Sequence, residues 1–348
     1  MATSLTSVLI IYTGGTIGMA QNPVTGALEP FNFHHLLDNV PELRQLGSSI
    51  STIQFEPPID SSEIEPSQWE RLVYLISENY DLFDGFVVLH GTDTMAYTAS
   101  AVSFMLENLS KPVIFTGSQL PVGVLRTDGK ENLITAIEIA SAKHPDGSPV
   151  VPEVCIFFEN SLMRGNRTRK ISAENFNAFA SPNYPLLAQA GVHISYDESE
   201  IRHPDETLPL KAHYAMDNNI AVLKLYPGIS RQAVHQILGI PGLKGVVMET
   251  FGAGNAPKSE WFLAELREAI QRGIVIVNVT QCNSGSVQMG LYSTGNTLQG
   301  CGVLSGYDST TEAAIAKLMF LFGHGLSPEA VAEAMNRSFV GEITIPDA

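Results

Sequence analysis

Phe86-Val-Val-Leu-His-Gly-Thr-Asp-Thr-Met-Ala-Tyr-Thr-Ala-Ser100 passes from a strand into a helix within one stretch. Phe86 to Leu89 is an apolar run with no polar residue inside it, the pattern of a strand buried on both faces. His90-Gly-Thr-Asp-Thr94 then supplies a glycine and residues that favour helix N-caps. Thr94 to Leu109, rich in Ala, Met, Phe and Leu, reads as a helix. A buried strand that leads straight into a helix is half of a βαβ unit.

The same arrangement recurs along the chain. Val8–Tyr12, Pro112–Phe115, Val154–Phe158, Ala221–Leu225, Gly245–Met248 and Ile274–Val279 are runs of the same kind. Ser67–Asn79, after Pro66, sets Trp69, Leu72, Leu75 and Ile76 on one side of a helix. Ser259–Arg272 does so with Trp261, Phe262, Leu266 and Ile270, and stops at Gly273. Strands alternating with helices predict an α/β protein of mostly parallel, twisted sheets with flanking helices. Tyr196-Asp-Glu-Ser-Glu-Ile-Arg-His-Pro-Asp-Glu206 breaks the rhythm and reads as a linker. The expected division is a larger N-terminal α/β domain over 1–195, a linker over 196–218 and a smaller α/β domain over 219–348.

Composition narrows the classes of function. Of 348 residues, 44% are hydrophobic and 16% charged, enough apolar material for two cores. With 20 Lys and Arg against 36 Asp and Glu, the net charge is −16. Nucleic acid and anionic membranes are bound mainly through Lys and Arg, so neither is expected as a partner. No apolar run reaches the roughly 18 residues of a bilayer span. Met1–Ser7 lacks a basic segment, and Val8–Tyr12 is too short for the apolar part of a signal peptide. The three cysteines show no CxxC spacing and suit a reducing compartment, so a cytoplasmic location is expected.

Ligands of open parallel sheets bind beyond the carboxyl ends of the strands, which directs attention to three loops. Thr13-Gly-Gly-Thr-Ile-Gly18 follows the first strand and presents Thr16, either as a capping residue or as an exposed hydroxyl. Thr92-Asp93-Thr94 opens a helix, either as caps or as two hydroxyls and a carboxylate beside free N–H groups. Arg164-Gly-Asn-Arg-Thr-Arg-Lys170 gathers four cations, either as a solvated basic face or helix-end anchor, or to place a lysine that promotes deprotonation of a nucleophile. Together the loops offer Thr, Thr, Asp and Lys, a set closer to a serine–lysine hydrolase than to Ser-His-Asp. Other signals fail. No G-x-S-x-G elbow, HExxH or dinucleotide fingerprint is present, and Gly123–Glu131 lacks phosphate-loop spacing. His34-His35 has no partner at metal-ligand spacing, and the remaining histidines read as structural or surface residues.

The ordered set resembles the bacterial-type L-asparaginases, cytoplasmic type I subgroup. The matching stretches are Tyr12–Met19, Ile59–Ser62, Asp84–Ser100, Lys111–Gln119, Arg164–Thr168, Tyr226–Gly228, Gly252–Pro257 and Thr280–Cys282, in family order across nearly the whole chain. That resemblance implies a catalytic N-terminal domain, a flavodoxin-like C-terminal domain and hydrolysis of L-asparagine to L-aspartate and ammonia with no metal or cofactor. It implies Thr16 as nucleophile and Thr92, Asp93 and Lys170 as the second catalytic group. Asp93 would also hold the substrate amino group, and Ser61 its carboxylate, with Asp60 and Ser62 along the same wall. Asn255 would reach across an intimate dimer, and two such dimers would make a homotetramer.

Three departures stand against the pattern. The family commonly places a tyrosine on the loop after the nucleophile. Here Ala20–Glu29 has none, Thr25 is its only hydroxyl, and Tyr12 sits in the strand instead. Glu249 replaces an arginine and Arg169 a threonine at the activating asparagine site of some type I enzymes, which argues against activation of that form. Cys282 matches a residue near that site and reads equally as core filling. Gly295–Gly300 lacks the acidic residue that secreted relatives donate there. The alternatives are the amidase of a tRNA-dependent amidotransferase, a mixed asparaginase/glutaminase, and a binding protein that has lost catalysis.

Overall fold

The computed structural model describes residues 5–21, 28–30, 40–205, 207–289 and 293–345. By contacts the chain divides into two compact units, Met1–Tyr214 and Ala215–Ala348.

The first unit is built on an 8-stranded sheet. Its strands are β1 (Thr6–Tyr12), β2 (Ser48–Gln54), β3 (Gly85–Leu89), β4 (Val113–Thr116), β5 (Val154–Phe158), β6 (Ser161–Arg164), β7 (Ala188–Ala190) and β8 (Ile194–Tyr196). The spatial order is β8-β7-β6-β5-β4-β3-β1-β2. Strands β2, β1, β3, β4 and β5 pair in parallel, and β6, β7 and β8 complete one edge antiparallel. The buried runs expected from sequence are the parallel strands β1, β3, β4 and β5. The sequence does not show the antiparallel edge, because its strands are short and Ser161–Arg164 ends on the first residue of the basic stretch read as a loop.

Helices α1 (Pro66–Glu78), α2 (Met95–Met105) and α3 (Gly129–Ser141) flank this sheet. Pro66 opens α1, where a missing N–H costs nothing, and the Glu65 N–H donates to Gln68 Oε1 at 2.7 Å. Helix α2 is buried on every side, and its Ser100 and Ser103 hydroxyls donate to the carbonyls of Ala96 and Ala99 at 2.7 Å. It ends earlier than the expected Leu109. Leu106–Glu107 pairs with Lys211–Ala212, and Asn108 takes φ 60°, so the chain leaves the helix to make a strand bond. That pairing and the Arg202 N–H to Glu153 Oε1, 2.6 Å, attach residues of the 196–218 segment to the first unit.

The second unit holds a 4-stranded parallel sheet in the order β9 (Ile220–Lys224), β10 (Gly245–Thr250), β11 (Val275–Thr280), β12 (Leu304–Ser305). On β10, Val246 and Met248 join one core and Val247 the other, so both faces are covered. Alternate side chains of a strand point to opposite faces, which is why the run shows no polar alternation. Helix α4 (Glu260–Gln271) precedes Gly273, whose φ of 89° is the left-handed stop expected there.

The basic stretch is not a solvated face. Arg164 and Glu153 are each only 3% exposed and pair at 2.6 Å, with the Arg164 guanidinium 4.2 Å from the centre of the Tyr184 ring. Arg167 is buried beside them. A countercharge and an aromatic face make burial of Arg164 tolerable where water would otherwise be needed. Removing one member of such a pair leaves a buried charge uncompensated, at a cost of about 3–5 kcal/mol. Glu153→Ala should therefore lower the chemical unfolding free energy by that order. Lys143→Ala, which breaks the half-exposed 2.7 Å pair with Asp84, should cost under about 1 kcal/mol.

Candidate active site

Three strand-end loops of the first unit are stacked backbone against backbone. After β1, the Thr13 N–H donates to the Leu89 carbonyl at 3.0 Å, and the Thr13 carbonyl accepts from the Ile59 N–H at 2.8 Å. A Cβ at Gly14 would lie 2.0 Å from the Ile59 carbonyl oxygen, one at Gly15 2.6 Å from the Gly91 Cα, and one at Gly91 2.5 Å from Ser61 Oγ. Gly14 and Gly15 also take φ of 145° and 92°. No residue with a side chain fits these positions. The loops at 13–18, 59–63 and 90–94 are thereby brought together, and Thr16 and Thr92 each follow one of the touching glycines.

Thr16 opens a short 3-10 turn, Thr16–Gly18, and is half-buried. Among the described residues nothing bonds its hydroxyl. Neither Thr92, Asp93 nor Thr94 caps α2 through its side chain. Thr94 Oγ1 donates instead to the Ser61 carbonyl at 2.7 Å. Lys170, in the short strand Arg169–Lys170 that pairs with Phe179–Ala180, donates from Nζ to Thr92 Oγ1 at 2.8 Å and to Asp93 Oδ1 at 2.6 Å. Asp93 is 65% exposed and Lys170 19%. The structure therefore joins Thr92, Asp93 and Lys170 directly.

Ser61 is buried against Gly91, while Asp60 and Ser62 are exposed. Asp60 Oδ1 accepts from the Ser62 N–H and hydroxyl, both at 2.9 Å, and these bonds hold its carboxyl below the usual carboxylate range. The short turn carrying Ser61 is thus fixed by its neighbours.

The other residues singled out from sequence lie elsewhere. Thr25 and the 22–27 segment fall outside the described residues. Asn255, in the second unit, closes a turn with Phe251 that rests on Asn278. Asn278 accepts from Thr250 Oγ1 at 2.6 Å and donates to the Gly254 carbonyl at 3.2 Å. Glu249 is buried, accepting from Thr311 Oγ1 at 2.8 Å and lying 3.1 Å from Lys224 Nζ. Cys282 is exposed, so the core-filling reading fails. Among the described residues no group of His, Cys, Asp and Glu could hold a metal ion, and no helix is long and apolar enough to cross a membrane.

Residues 7–202 match the family model described as "Asparaginase, N-terminal", and residues 219–335 the "Glutaminase/Asparaginase C-terminal domain". The chain belongs to the asparaginase family. L-asparaginase 1 of Escherichia coli (strain K12) is 46% identical over 98% of this chain and 99% of its own length. The 60 kDa lysophospholipase of Homo sapiens is 42% identical over 97% of this chain, covering 61% of that protein. The crystal structure of L-asparaginase I from Vibrio cholerae superposes with a TM-score of 0.89 at 42% identity, covering 98% of this chain and 100% of that one. The resemblance carried by the ordered motifs is borne out, including the type I subgroup.

In the sequence His90 reads as a structural histidine and Tyr12 as a strand residue. Both lie directly behind the threonine loops. The Tyr12 hydroxyl reaches the Gly15 carbonyl at 3.3 Å, and His90 Nδ1 lies 2.7 Å from the Gly91 carbonyl oxygen. Only the small residues around them hinted at this closeness.

Burial pushes His90 down from 6.5 to about 4. Between those values the unfolded chain takes up a proton that the folded chain refuses, so stability is full above pH 6.5 and falls as pH drops toward 4. Converted at about 1.4 kcal/mol per pH unit, the loss is roughly 3 kcal/mol. Thermal unfolding across this range should show a steeper acid loss for the wild type than for His90→Phe.

Proposed function

We propose that this protein is a cytoplasmic L-asparaginase, which hydrolyses the side-chain amide of L-asparagine to L-aspartate and ammonia without a metal or cofactor. The single observation that carries the reading is the Lys170 ammonium bonded to both Thr92 and Asp93, on a loop stacked against the one bearing Thr16. The family membership and the relatives named L-asparaginase 1 and L-asparaginase I support it.

Thr16 Oγ is the nucleophile. Its bond to the amide carbon forms as the carbonyl electrons move onto oxygen, where backbone N–H groups such as that of Thr92 stabilise the charge. Thr92 Oγ1 accepts from Lys170, which leaves its own O–H free to donate. It passes a proton to the amide nitrogen, Lys170 replaces that proton, and the proton that Thr16 sheds as its O–C bond forms returns to Lys170 through solvent, so the relay ends as it began. The C–N bond then breaks, ammonia leaves and an aspartyl ester on Thr16 remains. Water attacks that ester by the reverse proton path, releasing L-aspartate. Asp93, exposed beside the lysine, receives the substrate ammonium, and Ser61 its carboxylate, with Asp60 and Ser62 holding that wall.

The protein assembles as a homotetramer, a dimer of intimate dimers in which Asn255 completes the partner's site. The buried Glu249 carboxylate, already engaged by Lys224 and Thr311, would repel an effector carboxylate, so asparagine does not activate from a second site here.

Ammonia release should vanish in Thr16→Ala, with circular dichroism unchanged. Wild-type turnover by that variant would remove Thr16 from the chemistry. Lys170→Met should lower kcat by about 10²–10⁴, and an unaltered pH profile would take Lys170 out of the relay. L-glutamine in parallel sets the substrate range, since one methylene is worth only about 1–3 kcal/mol of discrimination. Mixing Thr16→Ala with Asn255→Ala subunits should restore part of the activity, and none would return if each site belonged to one chain.

A further inference from the structure

Two buried rings stand behind the threonine loops. Tyr12, at the end of β1, sends its hydroxyl to the Gly15 carbonyl at 3.3 Å, and a Cβ at Gly18 would fall 2.2 Å from its ring. His90, just past β3, brings Nδ1 to 2.7 Å from the Gly91 carbonyl oxygen. Burial raises the phenol to about 12 and lowers the imidazole to about 4, so both are neutral near pH 7. A neutral imidazole facing a carbonyl carries its proton on Nδ1. Its Nε2 is then buried and bonded to none of the described residues, a desolvation cost that a phenylalanine would avoid. Stability alone gives no reason for a histidine here.

Each ring grips the carbonyl of the glycine that directly precedes a threonine. In a trans peptide the C=O and the following N–H point in opposite directions. With the Gly15 carbonyl turned inward to Tyr12, the Thr16 N–H turns outward; Gly91 and Thr92 repeat the relation over His90. No acceptor among the described residues takes either amide. Because a Cβ at Gly15 would lie 2.6 Å from the Gly91 Cα, the two N–H groups leave neighbouring backbones.

We infer that Tyr12 and His90 are positioning residues that aim the Thr16 and Thr92 amides at the oxygen of the carbonyl under attack. The inference rests on Thr16 as nucleophile and adds what holds the donors in place. As the Thr16 O–C bond forms, negative charge collects on that oxygen, and fixed donors stabilise it without reorganising. Neither ring touches substrate. Each acts through a glycine peptide, and a loosened peptide weakens binding of the charged intermediate more than binding of asparagine.

Steady-state kinetics of Tyr12→Phe, His90→Phe and His90→Asn, with Thr16→Ala as reference, test this. The first two should lose about ten- to hundredfold in kcat with KM within about twofold of wild type. His90→Asn, whose side-chain amide can place a donor near Nδ1, should recover part of the loss. Affinity for the β-aldehyde of aspartate, which forms a tetrahedral adduct whose oxygen occupies the place of the attacked carbonyl's, should fall with kcat while affinity for L-aspartate holds. Wild-type kcat in both Tyr12→Phe and His90→Phe, with Thr16→Ala inactive, overturns the inference and leaves the nucleophile standing. Equal losses of aldehyde and aspartate affinity overturn it as well, since they mark a general loosening. An active Thr16→Ala would instead overturn the reading on which it rests.

Discussion

The contact of glycine backbone on glycine backbone, Gly15 against Gly91, is the constraint on which the first unit's chemistry depends. Parallel strands deliver their loops to one end of a sheet, but adjacent loops ordinarily stay a side chain apart. Removing the side chains at 14, 15 and 91 closes that gap, so two threonines from different strands and Ser61 from a third element share one small volume. The arrangement costs conformational entropy in the unfolded chain. The hydrogen bonds of Thr13 to Leu89 and of Ile59 to Thr13 offset part of it.

Around that contact the polar groups are committed one by one. Thr94 is bonded to the Ser61 carbonyl, Asp60 to Ser62, and Lys170 to Thr92 and Asp93. Below Lys170, the Arg164–Glu153 pair anchors the strand from which the basic loop departs. Among the described residues the Thr16 hydroxyl and the amides of Thr16 and Thr92 have no partner, and these are groups a reacting amide would need. Preorganised donors in a fixed site are worth more to catalysis than the same donors in mobile loops.

Much of this was legible in the chain. The unbroken apolar runs β1, β3, β4 and β5 announced strands covered on both faces, and their loops pointed to Thr16, Thr92, Asp93 and Lys170. What the sequence concealed follows from its one-dimensional character. Arg164 and Arg167 look like a solvated face because Glu153 and Tyr184, which make their burial possible, are distant along the chain or on another loop. The β6–β8 edge strands are too short to show a period. Helix α2 reads past its end because Leu106–Glu107 pairs with a strand about a hundred residues away. Tyr12 and His90 look like ordinary strand-end residues, since their meaning lies in which carbonyl each faces.

In the proposed reaction Thr16 carries the acyl group of asparagine during turnover. Acid quenching of the enzyme turning over L-asparagine, followed by proteolysis and mass spectrometry, tests it most directly. The expected result is the mass increment of one aspartyl group on the peptide bearing Thr16. An increment on the peptide bearing Thr92, or on any other residue, would contradict it.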